Sequence, residues 1–252
     1  MTAYPGFGVL LAKLSVHRKL DSSALARQSG VPEPELRGVL DGAAPSPSLL
    51  RQLAPALDLH AADVFVIAGA AVPDDLAPLD PEAGPWVPGV VRCAGRLTPE
   101  KRGELRHLVH SLPQEKPSQR PPQEPSFRRL EGTPPGTPGA TLDRMLILRN
   151  LHWTGMAKTF LVLTGRYWAA STYGMVGAGR KELTPDLVAD FGTVLDVPAG
   201  DLATLTGIAL PEILQARRPA TTGMAELIWD LRRLTADQVR HIGEVAASMG
   251  PA

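Results

Sequence analysis

Apolar residues along this chain recur at offsets of three and four in short runs that end at Gly or Pro. That pattern predicts a series of short amphipathic helices. Residues 5–19 read as an opening helix, with Val9, Leu10 and Leu14 turned inward and Lys13, Arg18 and Lys19 outward. The stretch from Leu20 to Leu57 then reads as three helices. Asp21 or Ser22 caps the first, whose inner side is Leu25 and Ala26, and Gly30 follows where a positive φ is wanted. Val31 plugs inward. Pro32 and Pro34 sit in the first turn of the second helix, where a missing N–H costs little, and Leu36, Val39 and Leu40 line it up to Gly42. Ser46 and Pro47 open the third, with Leu49, Leu50, Leu53 and Leu57 inside. A further helix over Ala61–Ala68 holds Val64 and Phe65 and stops at Gly69. Beyond it, Val87, Val90, Val91 and Ala94, then Leu105, Leu108, Val109 and Leu112 behind a Thr98-Pro99 cap, predict a helical hairpin.

After a proline-rich stretch the pattern starts again. Leu97, Thr98, Leu105, Leu108, Ser111 and Leu112 recur 137 residues on as Leu234, Thr235, Ile242, Val245, Ser248 and Met249. Pro47, Leu57, Asp58, Asp63, Gly69 and Pro73 recur at a shift of 138 as Pro185, Leu195, Asp196, Asp201, Gly207 and Pro211. Matches in this order over this length imply a tandem duplication of one unit. The domain division that follows is 1–72, a hairpin over 73–112, a flexible linker over 113–139, 140–210, and a second hairpin over 211–252.

The spacing of Leu25, Ala26, Gly30, Val31, Leu36, Val39, Gly42, Pro47, Leu53, Ala54 and Leu57 resembles the Cro/lambda-repressor type of helix-turn-helix, the XRE-like family of bacterial regulators. The likeness covers roughly residues 6–68, and a second match lies between Leu142 and Leu202. It implies an all-α fold: two lambda-repressor-like helix-turn-helix domains, each followed by a helical hairpin and joined by the Pro-rich linker. It also implies a sequence-specific DNA-binding regulator of transcription that acts as a tandem pseudo-dimer, its reading helices entering the major groove of double-stranded DNA.

On that resemblance the second copy is the better reader. Its segment from Ala170 to Lys181 offers Ser171 and Thr172 to base edges, with Arg166, Arg180, Lys181 and Lys158 for phosphates, although its turn is about two residues longer. In the first copy Ser22, Ser23, Arg27 and Arg37 are the candidate DNA contacts. There Glu33 and Glu35 stand where a polyanion would approach, which disfavours binding. The other reading from the same residues is a protein-interaction adaptor that kept the fold without the DNA, or a chain in which only the second copy reads it. The hairpins are candidate surfaces for a protein partner or a homodimer.

Composition narrows the classes. The chain has 252 residues, 44% of them hydrophobic and only 5% aromatic, with 24 glycines and 25 prolines, as suits small helical units. Lys and Arg number 26 and so do Asp and Glu, so any attraction to nucleic acid is local rather than global. Val64 to Val72 is the longest apolar run and is too short to cross a bilayer, so no membrane partner and a cytoplasmic location are expected. One cysteine, Cys93, excludes an internal disulfide and reads as a buried small hydrophobe. His107, His110 and His241 read as surface or core-edge residues rather than metal ligands. No catalytic motif is present, and the expectation is a non-enzyme without cofactors.

Overall fold

The computed structural model describes residues 4–114, 136–215 and 223–250. Within them all regular structure is helical. The first half contains α1 (Phe7–His17), α2 (Ser22–Ser29), α3 (Glu33–Leu40), α4 (Pro47–Ala56) and α5 (Ala61–Ile67), then two 3₁₀ turns, then α6 (Val87–Ala94) and α7 (Pro99–Ser111). The second half contains α8 (Pro138–Ile147), α9 (Trp153–Thr164), α10 (Ala170–Gly177), α11 (Pro185–Leu195), α12 (Ala199–Thr206), a one-turn α13 (Glu212–Gln215), α14 (Met224–Leu231) and α15 (Ala236–Ser248). The stretch expected as a flexible linker lies mostly outside the described residues. Its last part differs from expectation, because Thr137 caps α8 and Pro138 opens it.

The caps are those the local chemistry favours. Asp21 accepts from the Ala24 amide, Ser46 from Leu49 and Thr98 from Lys101, and Thr235 forms a reciprocal box with Gln238. Gly30 and Gly165 end α2 and α9 in the left-handed region, at φ 70° and 72°. Two inner-face expectations fail on α1. Val9 is half exposed while Leu11 is buried, and Arg18 is drawn inward rather than out.

The halves do not hang apart on a tether. One continuous apolar core runs through both. Helix α1 packs on α12 and α5 packs on α8, which is the same contact made twice with the roles of the halves exchanged. The hairpins behave likewise: α6 lies against α15 and α7 against α14, closing a four-helix layer. A methyl of Val90 lies over Gly243, Arg106 bonds Asp230 at 3.0 Å, and Lys101 donates to the Met249 carbonyl at 2.8 Å. Each hairpin was expected beside its own half or as a free surface. Instead it finds its main partner in the other half, because its apolar stripe needs a matching stripe and the duplicated hairpin carries one.

Polar contacts repeat the exchange. Arg18, just past α1, reaches Asp201 on α12 at 2.5 Å, and Arg149, just past α8, reaches Asp63 on α5 through two bonds of 2.8 and 2.7 Å. Lys19 and Asn150, the residues that follow these arginines, both have φ 57°. The two ion pairs are thus equivalent points of one internally two-fold interface. They differ in burial: both side chains of Arg149–Asp63 are 1% exposed, whereas Arg18 keeps 18%. Trp229 of α14 completes the buried pair, with Arg149 and Arg232 over its ring and His60 stacked on it at 3.7 Å. Burial and the Arg149 charge pull the His60 imidazole down to about 4, so it is neutral here at neutral pH.

Candidate nucleic-acid interface

Both α3 and α10 are seated on the opening helix of their half by a glycine. A Cβ on Gly8 would lie 2.2 Å from the Val39 carbonyl oxygen, and one on Gly139 2.4 Å from that of Val176. Only hydrogen fits there, so the last turn of each helix is held hard against α1 or α8.

The first copy closes its own polar groups. Glu33, at the start of α3, accepts from Arg37 at 2.7 Å and from the Ser23 hydroxyl at 3.2 Å. Ser46 donates to Glu35 at 3.3 Å. Two acids in the first turn suit the positive end of the helix dipole, which is a structural reason for them. The consequence is that Arg37 and Ser23 are engaged by a carboxylate, and Asp21, Glu33 and Glu35 ring the N-termini of α2 and α3. Ser22 is half-buried, and Arg27 stands exposed on α2.

The second copy is built differently. Helix α9 has 12 residues against 8 in α2, and five residues rather than three separate it from α10, which is the two-residue extension read from the sequence. The extension is pinned: Arg166 lies 2.5 Å from Asp186, and the Trp168 indole donates to Asp190 at 2.8 Å. Arg166, expected on phosphate, is therefore held by an acid of α11. Tyr173 and Val176 fill the inward positions, and Tyr173 joins Phe160 and Phe191 in an edge-on aromatic cluster. Burial, first, and the charge of Asp190 push the Tyr173 phenol well up.

Thr172 corrects the base-edge expectation. It is only 6% exposed, because at helical spacing it sits beside Tyr173 on the inner side, so Ser171 is the one hydroxyl of the pair that faces out. The outward face of α10 otherwise carries Met175, with the exposed Ala178 just past its end and Gly174 covered by the half-exposed Trp153 ring. Arg180 and Lys181 lie beyond the helix, after Gly179 at φ 67°, both exposed and with both amides returned to the Met175 carbonyl. Lys158 is exposed on α9. The exposed cations of this copy therefore lie on α9 and past the end of α10, not on α10 itself.

Sequence reasoning missed Trp153 and the two equivalent inter-half ion pairs, Arg18–Asp201 and Arg149–Asp63. Asp63 and Asp201 were visible as a matched pair at a shift of 138, but their arginines stand 131 apart. The lengthened α9 and turn change the register between copies, so a search at one fixed shift finds one partner and loses the other. Elsewhere, His110 lies 2.8 Å from Asp230, and Cys93 is half-buried rather than fully enclosed. No cluster of metal-ligating side chains occurs among the described residues, and none of their helices is long and apolar enough to cross a membrane. No family model, curated protein or solved structure matches this chain.

Proposed function

We propose that the protein is a cytoplasmic DNA-binding regulator of the lambda-repressor-like helix-turn-helix type, built as a rigid intramolecular pseudo-dimer whose second unit makes the DNA contact. The observation that carries this is an asymmetry in how cations are used. Each unit holds an arginine on an acid, Arg37 on Glu33 and Arg166 on Asp186, but beside these the first unit exposes Arg27 on α2, whereas the second exposes Lys158, Arg180 and Lys181 around α9 and the end of α10. Basic side chains flanking an outward Ser171 suit phosphate contacts on either side of a groove. The first unit, ringed by Asp21, Glu33 and Glu35, is the half that stays off the backbone or meets a protein.

Binding of a mixed pool of duplex DNA, followed by anisotropy against salt, tests the assignment. Arg180→Ala with Lys181→Ala should weaken binding to all sequences and flatten the slope of log affinity on log salt by about one to two units. Arg37→Ala should change neither. An unaltered slope in the first variant removes the second unit from DNA.

A protein-adaptor reading has its own support in the Trp153 and Met175 surface on the outer side of α10, since exposed aromatic and Met side chains are typical of protein contacts. Selection from random duplexes separates the two: an adaptor enriches no sequence.

A further inference from the structure

Two glycines of α10 are each covered by a side chain from another helix. A Cβ on Gly174 would lie 3.1 Å from the Trp153 ring, and one on Gly177 2.8 Å from Oδ2 of Asp143 on α8. The corresponding positions of the first half differ together. By the register of the two copies, Asp143 and Gly177 stand where the first half has Ala12 and Leu40, and Trp153 and Gly174 stand where it has Ser22 and Arg37. The first half thus fills this seam with a leucine over an alanine. The second removes the leucine and buries an acid in its place.

That acid is poorly provided for. Asp143 is 5% exposed, and its Oδ1 has no hydrogen-bond partner. Burial pushes its carboxyl up to about 7, and the Trp153 indole, acting as a donor, opposes this only in part. The charged groups of the surrounding elements are committed elsewhere or do not act on it. Asp63 of α5 holds Arg149, Asp201 of α12 holds Arg18, Asp186 of α11 holds Arg166, and Asp190 of α11 takes the Trp168 indole. On α9 the ionisable group beyond Trp153 is Lys158, and His152 caps that helix; on α8 it is Arg144; on α10 it is the Tyr173 phenol. None of these is among the influences on Asp143. An anion here would also face the carbonyl end of α10, the wrong end of the helix dipole.

We propose that Asp143 and Trp153 form a proton-operated clasp on α10. With the carboxyl protonated, α8 and the Trp153 ring close on Gly177 and Gly174. Loss of the proton places a charge beside the carbonyl end of α10, which pushes α10 off α8, while the Trp153 indole N–H tightens on the charged carboxylate and shifts its ring relative to Gly174. The clasp sets the seating of α10 and the shape of its outer face, and it goes beyond the DNA reading because it holds whatever α10 contacts.

The full chain labelled with 5-fluorotryptophan gives four resonances, for Trp86, Trp153, Trp168 and Trp229, and Trp153→Phe assigns the one that matters. Between pH 5.5 and 8.5 the Trp153 resonance should move through a single transition with a midpoint near 7. Asp143→Asn should hold it at the low-pH position throughout. Should the asparagine disturb folding, Asp143→Ala installs the residue the first half already carries and should likewise abolish the transition. A Trp153 resonance that does not move in the parent chain, or that moves equally in either variant, overturns the clasp.

Discussion

The two equivalent ion pairs set up a direct comparison of burial. Replacing Arg149 by Met removes two bonds to Asp63, of 2.8 and 2.7 Å, and a third to the Met145 carbonyl at 2.8 Å, from a site where both charged side chains are 1% exposed. The carboxylate left behind has no water to turn to, so the loss should be about 3–5 kcal/mol, a large share of the roughly 5–15 kcal/mol that holds a domain folded. At the other pair, Arg18→Met leaves Asp201 with His17 at 3.6 Å, and although Asp201 is itself 5% exposed, the side chain that covers it is 18% exposed, so trimming it brings water closer. Three bonds are lost there too, two to Asp201 and one to the Leu57 carbonyl, but nearer the surface the loss should be smaller, about 1.5–3 kcal/mol. Urea unfolding of both variants at neutral pH measures the difference. Combining Asp63→Leu with Arg149→Met should recover most of the loss, because the pair contributes little against an apolar replacement while an orphaned charge costs a great deal. Equal losses at the two sites, or a double variant no more stable than Arg149→Met, would refute the argument from burial.

The seating glycines give a second test by melting temperature: Gly8→Ala and Gly139→Ala drive a methyl into a carbonyl oxygen and should each destabilise by about 1–3 kcal/mol. Gly103→Ala in α7, where a Cβ meets nothing within 4 Å, should instead stabilise by about 0.5–1 kcal/mol. The pH dependence of stability should carry two opposed contributions. His60 has a folded value near 4, below its ordinary 6.5, so its contribution is full above pH 6.5 and is lost as pH falls toward 4. Asp143 has a folded value near 7, above its ordinary 3.8, so stability is greatest at low pH and falls as pH rises to about 7. The two slopes should nearly cancel between about pH 4 and 6.5, and His60→Gln should expose the Asp143 slope of up to about 1.4 kcal/mol per pH unit across that window in urea titrations. A variant curve that stays level there counts against the buried acid.

The helices were legible in the sequence because each is short, capped and bounded by Gly or Pro, so local chemistry alone fixes it. Asp21, Ser46 and Thr98 cap as their types suggest, and Gly30 and Gly165 take the φ that their turns require. Periodicity failed where a helix has two buried sides. Helix α1 packs on α3 with one face and α12 with another, which is why Leu11 is inside, Val9 is not, and Arg18 is drawn to Asp201. Thr172 was misplaced for a related reason: a hydroxyl next to an inward Tyr173 can turn either way, and the aromatic cluster decides. How the halves meet was not legible, since the proline-rich stretch suggested independent units and the arginines that join them lie off the register of their aspartates. That the first unit's cations would be matched by acids was partly visible, from Glu33 and Arg37 four apart on one helix.

The contact between α1 and α12 and its mirror between α5 and α8 would, in an assembly of two separate chains, be encoded by one gene segment, and every inherited change would strike both places at once. On a single chain each place drifts alone. Phe65 can stand where the other half has Ala203, Ala12 where it has Asp143, and one surface can be acidic while its twin is not, with the framework that joins them kept intact. Inherited asymmetry of this kind is open to a fused pair and closed to a homodimer.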